Sequence, residues 1–217
     1  MLKILKPLVR NLLIRPSCPL CRKSVDQDTL KRPCQDCQDR LLISPEGLKG
    51  SMPMSWHALG LYQGKLRALL LQERSQPCEK RFEGLIHLLR DGLRLMESEL
   101  LCPIPSWRTR RVNCLPNRIA MALGHPSRPL LQRRKAGLSQ HHLNRSMRLS
   151  NLHEAFETVD VRRPQGISGL WIVDDILTTG STALSARATL LKAGYEVRGL
   201  ICLARTPHTS QRIVRTL

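Results

Sequence analysis

The sequence predicts an α/β domain built on a parallel sheet, with a small cysteine-rich module in front of it. Residues 170–173 and residues 197–204 are short apolar runs, and the segment between them carries alanine and leucine at helical spacing up to Gly194, a helix stop. Strand, helix and strand in this order are typical of a β-α-β unit, whose strands run parallel, are buried on both faces and are joined by a right-handed crossover. Hydrophobic spacing predicts further helices in residues 66–72 and 82–100.

Length and composition set the domain organisation. The chain has 217 residues, of which 41% are hydrophobic, and this suits one α/β domain of moderate size with a small appendage. We expect the appendage in residues 1–45, a glycine- and proline-rich linker in residues 46–53, the α/β domain in residues 54–206 and a loose tail in residues 207–217.

The apolar run 170–173 ends in a group of residues that suits a ligand. Two carboxylates and a small hydroxyl-rich turn follow it: Asp174, Asp175, Thr178, Thr179, Gly180, Ser181 and Thr182. In a parallel sheet, ligands bind beyond the carboxyl ends of the strands. The turn also begins the predicted helix, where free N–H groups and the helix dipole favour an anion by about 0.3–2 kcal/mol. Gly180 has no Cβ, so a phosphate can approach the backbone closely.

The two aspartates would repel a phosphate, so their partners are sugar hydroxyls or a divalent cation. A phosphate, a ribose and magnesium belong together in one ligand, and the sequence predicts such a ligand here. The alternative is that Thr179 or Ser181 only caps a helix and that the aspartates are solvated residues at a strand end.

No P-loop and no dinucleotide-binding glycine motif occurs in the sequence. Residues 173–182, Val-Asp-Asp-Ile-Leu-Thr-Thr-Gly-Ser-Thr, instead resemble the phosphoribosyl pyrophosphate (PRPP) motif of type I phosphoribosyltransferases. The resemblance implies that Asp174 and Asp175 hold the ribose hydroxyls and that residues 178–182 hold the 5′-phosphate.

Four cysteines near the amino terminus carry a second, independent signal. They form two Cys-x-x-Cys pairs separated by twelve residues: Cys18, Cys21, Cys34 and Cys37. Each Cys-x-x-Cys turn presents two thiolates, and this spacing predicts a structural zinc site that supports a module too small to hold itself together. A pair of disulfides and unrelated thiols are the alternatives, although nothing in the sequence suggests export. The other cysteines lack ligand spacing and are expected as small core residues: Cys78, Cys102, Cys114 and Cys202.

The leucines of residues 1–15 are interrupted by Lys3, Lys6, Pro7 and Arg10. We therefore expect neither a signal peptide nor a membrane span, and a reducing cytoplasmic location. Residues 1–14 are expected to form a short amphipathic helix that packs on the rest of the chain, with membrane contact as the alternative.

Positive charge is concentrated in the middle of the chain. The formal net charge is +18, and residues 100–153 hold ten basic residues and no acid. This run indicates a polyanionic partner or several phosphates, the alternative being a generic solvated face. Aromatic residues are only 3% of the chain, so contacts to a nucleic-acid backbone would dominate over base stacking. The residues predicted to make them are Arg108, Arg110, Arg111, Arg133, Arg134 and Lys135.

A proline-containing turn precedes this basic run. Its residues are Pro103, Ile104, Pro105 and Ser106, and the residue before each proline is pushed out of the helical region, so the segment is expected to be extended. An ordinary loop is the alternative.

The order of these elements along the whole chain resembles the ComF/GntX family of bacteria. The resemblance implies a zinc ribbon on the four cysteines joined to a type I phosphoribosyltransferase-like domain, with the turn 103–106 flanking the pyrophosphate of PRPP. It also implies that Arg133, Arg134 and Gln140 belong to a mobile segment that closes over the site, and that residues 148–156 match the family's Arg-x-x-Asn-Leu-x-x-Ala-Phe stretch. Members tied to natural transformation act in the cytoplasm on imported single-stranded DNA.

The chain departs from the family pattern at two places. After the proline turn the family usually has Arg-Gly-Phe-Asn-Gln, whereas residues 110–114 are Arg-Arg-Val-Asn-Cys. Arg111 disfavours positive φ and close backbone approach, and the lost aromatic removes a stacking surface. Arg74 stands where a lysine is common, which keeps the charge but not its shape. These changes are expected to affect turnover more than binding.

Three classes of function follow from these features. The first is a phosphoribosyltransferase, in which magnesium and arginines stabilise the departing pyrophosphate. The second is a DNA-uptake protein with a regulatory or vestigial PRPP site, acting with proteins of the uptake machinery. The third is an assembly module in which the zinc ribbon recruits another protein. A metabolic phosphoribosyltransferase of nucleotide salvage would have the same sequence features. We favour a combination of the first two, a PRPP-binding competence protein with turnover left open.

Overall fold

A computed structural model describes residues 16–26, 31–106, 114–134, 155–159 and 166–207. Within these residues the helices are α1 Gln35–Leu41, α2 Gly64–Ser75, α3 Glu79–Gly92, α4 Leu115–Ala122 and α5 Ser181–Lys192. The strands are β1 Leu48–Gly50, β2 Trp56–Leu61, β3 Glu99–Pro103, β4 Leu131–Arg133, β5 Phe156–Thr158, β6 Gly169–Val173, β7 Ile176–Leu177 and β8 Val197–Arg205.

The main sheet has the order β1-β2-β8-β6-β3, and β7 pairs with the end of β8. Strands β2, β8, β6 and β3 are parallel to their neighbours, and only the edge strand β1 is antiparallel. The predicted β-α-β unit is confirmed as β6, α5 and β8, and Gly194 ends the helix with a φ of +84°. The α/β class with a largely parallel sheet is therefore confirmed. Strands β4 and β5 form a separate antiparallel pair.

Both faces of the sheet are buried, as the apolar runs predict. Alternate residues of β8 enter different core clusters, because successive side chains of a strand point to opposite faces. Ile201 and Leu203 pack with α2, α3 and α4, whereas Leu200 and Cys202 pack with α5. Cys102 on β3 and Cys202 are fully buried, in agreement with the core role expected for them.

The helix predicted for residues 82–100 is wrong at its carboxyl end. Helix α3 ends at Gly92, where a Cβ would crowd the carbonyl oxygen of Glu46, and residue 93 is already extended. Glu99 then begins β3, and its carboxylate accepts the N–H of Met96 at 3.0 Å. Leu100, the last residue of the predicted helix, lies in the sheet, where it pairs with Leu170. Helix 66–72 is confirmed as part of the longer α2.

The segment 46–53, predicted as a linker, contains strand β1. Gly47, with a φ of +66°, passes close to the carbonyl oxygen of Ala58 on β2, so this segment is part of the sheet. The proposed domain boundaries stay a prediction. Residues 1–14 and almost all of the predicted tail lie outside the described residues. No helix in the described part of the chain is both long and apolar enough to span a bilayer.

Candidate functional site

The four predicted cysteine ligands converge on one point. Cys18 and Cys37 have their sulfurs 3.9 Å apart, those of Cys21 and Cys34 are 3.6 Å apart, and all four lie within 4.8 Å of one another. A tetrahedral zinc ion with bonds of about 2.3 Å places its sulfurs about 3.8 Å apart. All eight cysteines of the chain are free, so the disulfide alternative is not observed.

The backbone around Cys18 suits a thiolate. The N–H groups of Leu20 and Cys34 donate to its sulfur at 3.4 Å and 3.3 Å. Burial acts to raise the pKa of Cys18, but the backbone N–H donors around the sulfur outweigh it and bring the pKa to about 6. Burial raises the pKa of Cys37, and the neighbouring sulfurs add to that effect. Four soft donors with this spacing fit zinc, which would supply the charge that holds them together as thiolates.

The cysteine module packs on α3. Pro19 and Pro33, which adjoin Cys18 and Cys34, lie against Gly84, where an added Cβ would come within 2.7 Å of Pro19 and 3.4 Å of Pro33. Arg32 forms an ion pair with Asp91 of the same helix. Leu20 packs against the core cluster that α3 helps to form. The four-cysteine module is therefore continuous with the core of the α/β domain.

The candidate ligand site lies at the carboxyl edge of the sheet. Strands β3 and β6 are neighbours whose last residues, Pro103 and Val173, face each other. The N–H of Ile104 donates to the carbonyl of Val173 at 2.9 Å. The proline turn 103–106 thus begins directly beside Asp174. The site prediction assigned these two segments to one ligand, and the structure brings them together at one edge.

Asp174 is a partly buried carboxylate at the end of β6. Its backbone N–H donates to the carbonyl of Ile201 at 3.0 Å, and its Oδ1 accepts the N–H of Asp175 at 2.8 Å. Burial raises the pKa of Asp174 to about 7, and the charge of Asp175 adds to the shift, while the nearby cation of Arg133 opposes it. Asp174 is therefore a group that a hydroxyl donor or a cation at this position would help to ionise.

Asp175 has a cationic partner that sequence reasoning missed. The Arg74 guanidinium donates to its Oδ2 from Nη2 at 2.6 Å and from Nε at 3.1 Å. Arg74 lies in the last turn of α2, and its side chain is 42% exposed against 20% for Asp175. The sequence singled out Arg74 only as a departure from the family pattern, and nothing in its local pattern indicates this contact.

The loop that leads into α5 has a left-handed backbone conformation at Gly180. Gly180 has a φ of +85°, and a Cβ at this position would overlap the ring of Pro53. The hydroxyls of Thr179 and Ser181 are 2.7 Å apart, and the N–H of Ser181 reaches the Thr179 hydroxyl only at 3.4 Å. The residue that caps α5 is Gly180, which has no side chain to donate or accept. The first turn of α5 thus lacks a conventional side-chain cap.

Arg133 lies beside the proline turn. Its Nε donates to the carbonyl of Pro105 at 2.9 Å, and its guanidinium lies 4.8 Å from the ring centre of Phe156. Burial lowers the pKa of Arg133, and the charge of Asp174 opposes that shift. Its neighbour Arg134 is more exposed and lies 3.7 Å from a carboxylate oxygen of Glu157. The sequence assigned both arginines to nucleic acid, and the family resemblance also placed them in a segment that closes over the site. The structure places Arg133 beside the proline turn of the candidate site.

One basic residue of the run 100–153 belongs to a buried ion-pair network. Glu73 at the end of α2 has a fully buried side chain that pairs with Arg81 and lies 3.8 Å from Arg118. Arg118 also pairs with Glu79 at 3.2 Å, and its guanidinium lies 4.0 Å from the ring centre of Phe82. Arg118 therefore joins α4 to α2 and α3. Four of the predicted nucleic-acid residues lie outside the described residues: Arg108, Arg110, Arg111 and Lys135.

Fold and site together define an α/β protein with a four-cysteine cluster whose spacing suits a metal ion, and with an acidic, hydroxyl-rich loop at the carboxyl edge of its parallel sheet. No family model matches the chain. It is similar to the DNA utilization protein YhgH of Salmonella typhi and to the protein of the same name from Salmonella typhimurium strain LT2, with 38% identity over 78 residues in each case. The similarity covers 35% of this chain and 32% of each relative. The chain thus matches about a third of the length of these relatives.

Proposed function

We propose that this chain is a ComF-family protein that binds PRPP with magnesium and acts in DNA uptake during natural transformation, handling imported single-stranded DNA in the cytoplasm. The observation that carries the proposal is the meeting of the proline turn 103–106, the acidic pair and the loop 178–182 at one edge of the sheet. The proposed role in DNA uptake is supported by the two Salmonella relatives, whose name refers to DNA utilization.

The 5′-phosphate of PRPP binds at the start of α5. The N–H groups in the first turn of a helix and the positive end of its dipole attract a phosphate. The hydroxyls of Thr178, Thr179, Ser181 and Thr182 add donors around it. The positive φ of Gly180 turns the loop so that the backbone itself faces the anion.

The ribose hydroxyls donate to Asp174 and Asp175, because carboxylates accept hydrogen bonds that a phosphate cannot give. The side chain of Asp175 is 20% exposed and its carboxylate is paired with Arg74, a partner that a ribose can replace. The pyrophosphate then lies toward the proline turn, where Arg133 supplies positive charge. Magnesium bound with PRPP supplies the charge that neutralises the pyrophosphate oxygens.

Single-stranded DNA is held through its backbone by the basic run in residues 100–153. Arg118 is engaged within the fold, so the contacts come from the other arginines of the run, among them Arg134, and from Lys135. Six contacts to phosphates of a single strand give a slope of about −4 in log affinity against log salt.

The cysteine cluster holds a structural zinc ion. Its contacts with Gly84 and Asp91 support a zinc ribbon that stabilises the α/β domain, in preference to a detachable module that only recruits another protein.

Fluorescence anisotropy with a labelled oligothymidylate, measured over a range of salt concentrations, tests the DNA part of the proposal. We expect steep salt dependence, weakened by neutralising Arg110, Arg111 and Arg134 together, whereas Arg187→Gln on the exposed face of α5 serves as the control. Salt-independent binding would contradict a backbone-directed interface. Pyrophosphate release in the presence of nucleobases, amines or DNA extends the proposal to an enzyme, and its absence with all of them restricts the site to binding.

A further inference from the structure

Arg205, the last residue of β8, lies directly behind the loop that begins at Leu177. Its side chain is buried, with the residue only 6% exposed. Its Nη1 donates to the carbonyl oxygen of Thr178, to that of Leu177 at 3.2 Å and to the hydroxyl of Thr206 at 3.4 Å. The guanidinium therefore holds the carbonyls at the start of the loop.

Among the described residues, no carboxylate forms an ion pair with the buried guanidinium of Arg205. The ion pairs found in that part of the chain all involve other arginines and lysines, and the ring of Trp56, 5.9 Å away, offers only a weak cation–π contact. A buried cation is costly unless hydrogen bonds and a compensating charge offset its desolvation. Here the carbonyls of Leu177 and Thr178 provide the hydrogen bonds, and the positive charge itself stays behind the loop.

The loop is thus held from two sides. At its start, Thr206 adds a backbone hydrogen bond to the carbonyl of Leu177 at 2.9 Å and a hydroxyl contact to the same oxygen at 3.2 Å. Further along, the ring of Pro53 packs against Gly180. Between these two contacts lie Thr178 and Thr179, which are both exposed. The backbone is fixed where it meets the protein and open where a ligand would arrive.

We infer that Arg205 is a positioning residue for the phosphate ester of the ligand. It fixes the carbonyls of Leu177 and Thr178, so that the hydroxyls and N–H groups of residues 178–182 converge on a phosphate, and it adds positive charge behind that phosphate. The inference rests on the function proposed for this site. It extends that function by assigning Arg205 to the sugar-phosphate side of the ligand and not to the pyrophosphate side.

The topology makes this assignment selective. Strand β6 lies between β8, which carries Arg205, and β3, which leads to the proline turn. Loss of the Arg205 guanidinium therefore disturbs the loop after β7 and leaves the turn 103–106 in place. Ribose 5-phosphate and magnesium pyrophosphate are accordingly the two probes that separate the sides of the site.

Calorimetric titration of both probes into zinc-loaded wild type, Arg205→Gln and Arg205→Lys tests the inference. We expect Arg205→Gln to weaken ribose 5-phosphate binding about tenfold or more, since a charge-assisted contact is lost, while magnesium pyrophosphate affinity changes by less than about twofold. Arg205→Lys should recover part of the loss, because it keeps the charge but not the planar fork. Arg198→Gln, at the other end of β8, is the matched control and should bind both probes as the wild type does.

Hydrogen exchange of the ligand-free proteins supplies a second readout that needs no ligand. Residues 177–182 should exchange faster in Arg205→Gln than in wild type, with the body of α5 unchanged. A folded Arg205→Gln variant with wild-type affinity for ribose 5-phosphate would overturn the inference and leave the proposed function standing. Equal loss of both probes would also overturn it, because that result indicates a general structural role. Failure of the wild type itself to bind either probe would overturn the proposed function and this inference together.

Discussion

Arg74 donates two hydrogen bonds to one carboxylate oxygen of Asp175, across 101 positions of the sequence. The contact joins the last turn of α2 to the carboxyl edge of the sheet, and it occupies the carboxylate that we assign to a ribose hydroxyl. In the ligand-free protein the acidic pair is therefore asymmetric. Asp174 is partly buried with a raised pKa, and Asp175 is neutralised by an arginine.

A double-mutant cycle measures this pair. Arg74→Gln, Asp175→Asn and the double variant should give a coupling energy of up to about 1 kcal/mol in urea unfolding, since the arginine is partly exposed. Lys65→Gln, an exposed cation on the same helix, should show no coupling to Asp175→Asn. Zero coupling for Arg74 as well would mean that the ion pair is not formed in solution.

Asp174 makes stability depend on pH. Its folded pKa of about 7 lies above the ordinary value of 3.8, so the folded state holds the proton more tightly than the unfolded state. This contribution is present below pH 4 and is lost as the pH rises toward 7. We expect Asp174→Asn to raise the melting temperature relative to wild type above pH 7 by about 2–4 °C for each kcal/mol recovered. An unchanged difference between the two proteins from pH 5 to pH 8 would contradict the raised pKa.

Zinc removal should weaken the whole described fold. Pro19 and Pro33 pack on Gly84 of α3, so loss of the cysteine cluster exposes part of the core of the α/β domain. A strong chelator, or Cys18→Ser with Cys34→Ser, should shift a single cooperative melting transition to lower temperature. Circular dichroism and the measured zinc content together check this result. A main transition that stays at the same temperature after the metal has been removed would indicate an independent module.

Gly180→Ala should destabilise the protein in two separable ways. The added Cβ overlaps the Pro53 ring, and a non-glycine residue at a φ of +85° is strained by about 1–2 kcal/mol. Pro53→Ala should therefore relieve part of the cost of Gly180→Ala and leave the backbone part. Unfolding free energies of both single variants and the double variant check the expectation. Full additivity of the two single effects would show that the ring and the glycine do not meet.

Glu73 and Glu79 provide a matched pair of substitutions around Arg118. Glu73 is fully buried and bonded to Arg81, so Glu73→Gln should cost about 3–5 kcal/mol, because it removes the only charge of a buried carboxylate and leaves the partly buried Arg81 without its ion-pair partner. Glu79 is 72% exposed, and Glu79→Gln should change stability by less than about 1 kcal/mol. Urea unfolding distinguishes the two values, and equal effects would contradict the buried network.

Sequence patterns predict the features whose residues are close together in the chain. The β6-α5-β8 unit and the cysteine pairs follow from local spacing and are found as expected. The helix expected for residues 82–100 ends early, because Leu93 and Leu95 continue the helical spacing but lie in the connection to β3. From Glu99 onward, pairing with β6 decides the conformation. Tertiary contacts override local propensity at such places.

The contacts that complete the site could not be read from the sequence. Arg74 with Asp175 and Arg205 with Thr178 depend on which strands become neighbours, and local patterns do not specify that order. Pro53 illustrates the same limit, since the sequence places it in a linker and the fold places it against Gly180. The structure thus gives Gly180 a reason to be a glycine that the sequence did not show, because the Pro53 ring fills the place where a Cβ would lie.

The central claim is a working PRPP site at the acidic pair, and calorimetric titration of magnesium and PRPP into the zinc-loaded protein tests it most directly. We expect saturable binding by the wild type, and loss of that binding in the folded Asp174→Asn/Asp175→Asn variant, because the ribose hydroxyls then lose both carboxylates. Glu196→Gln with Asp36→Asn, two exposed carboxylates elsewhere, is the matched control and should bind as the wild type does. No binding by folded wild-type protein, or equal binding by the variant lacking both aspartates, would contradict the claim.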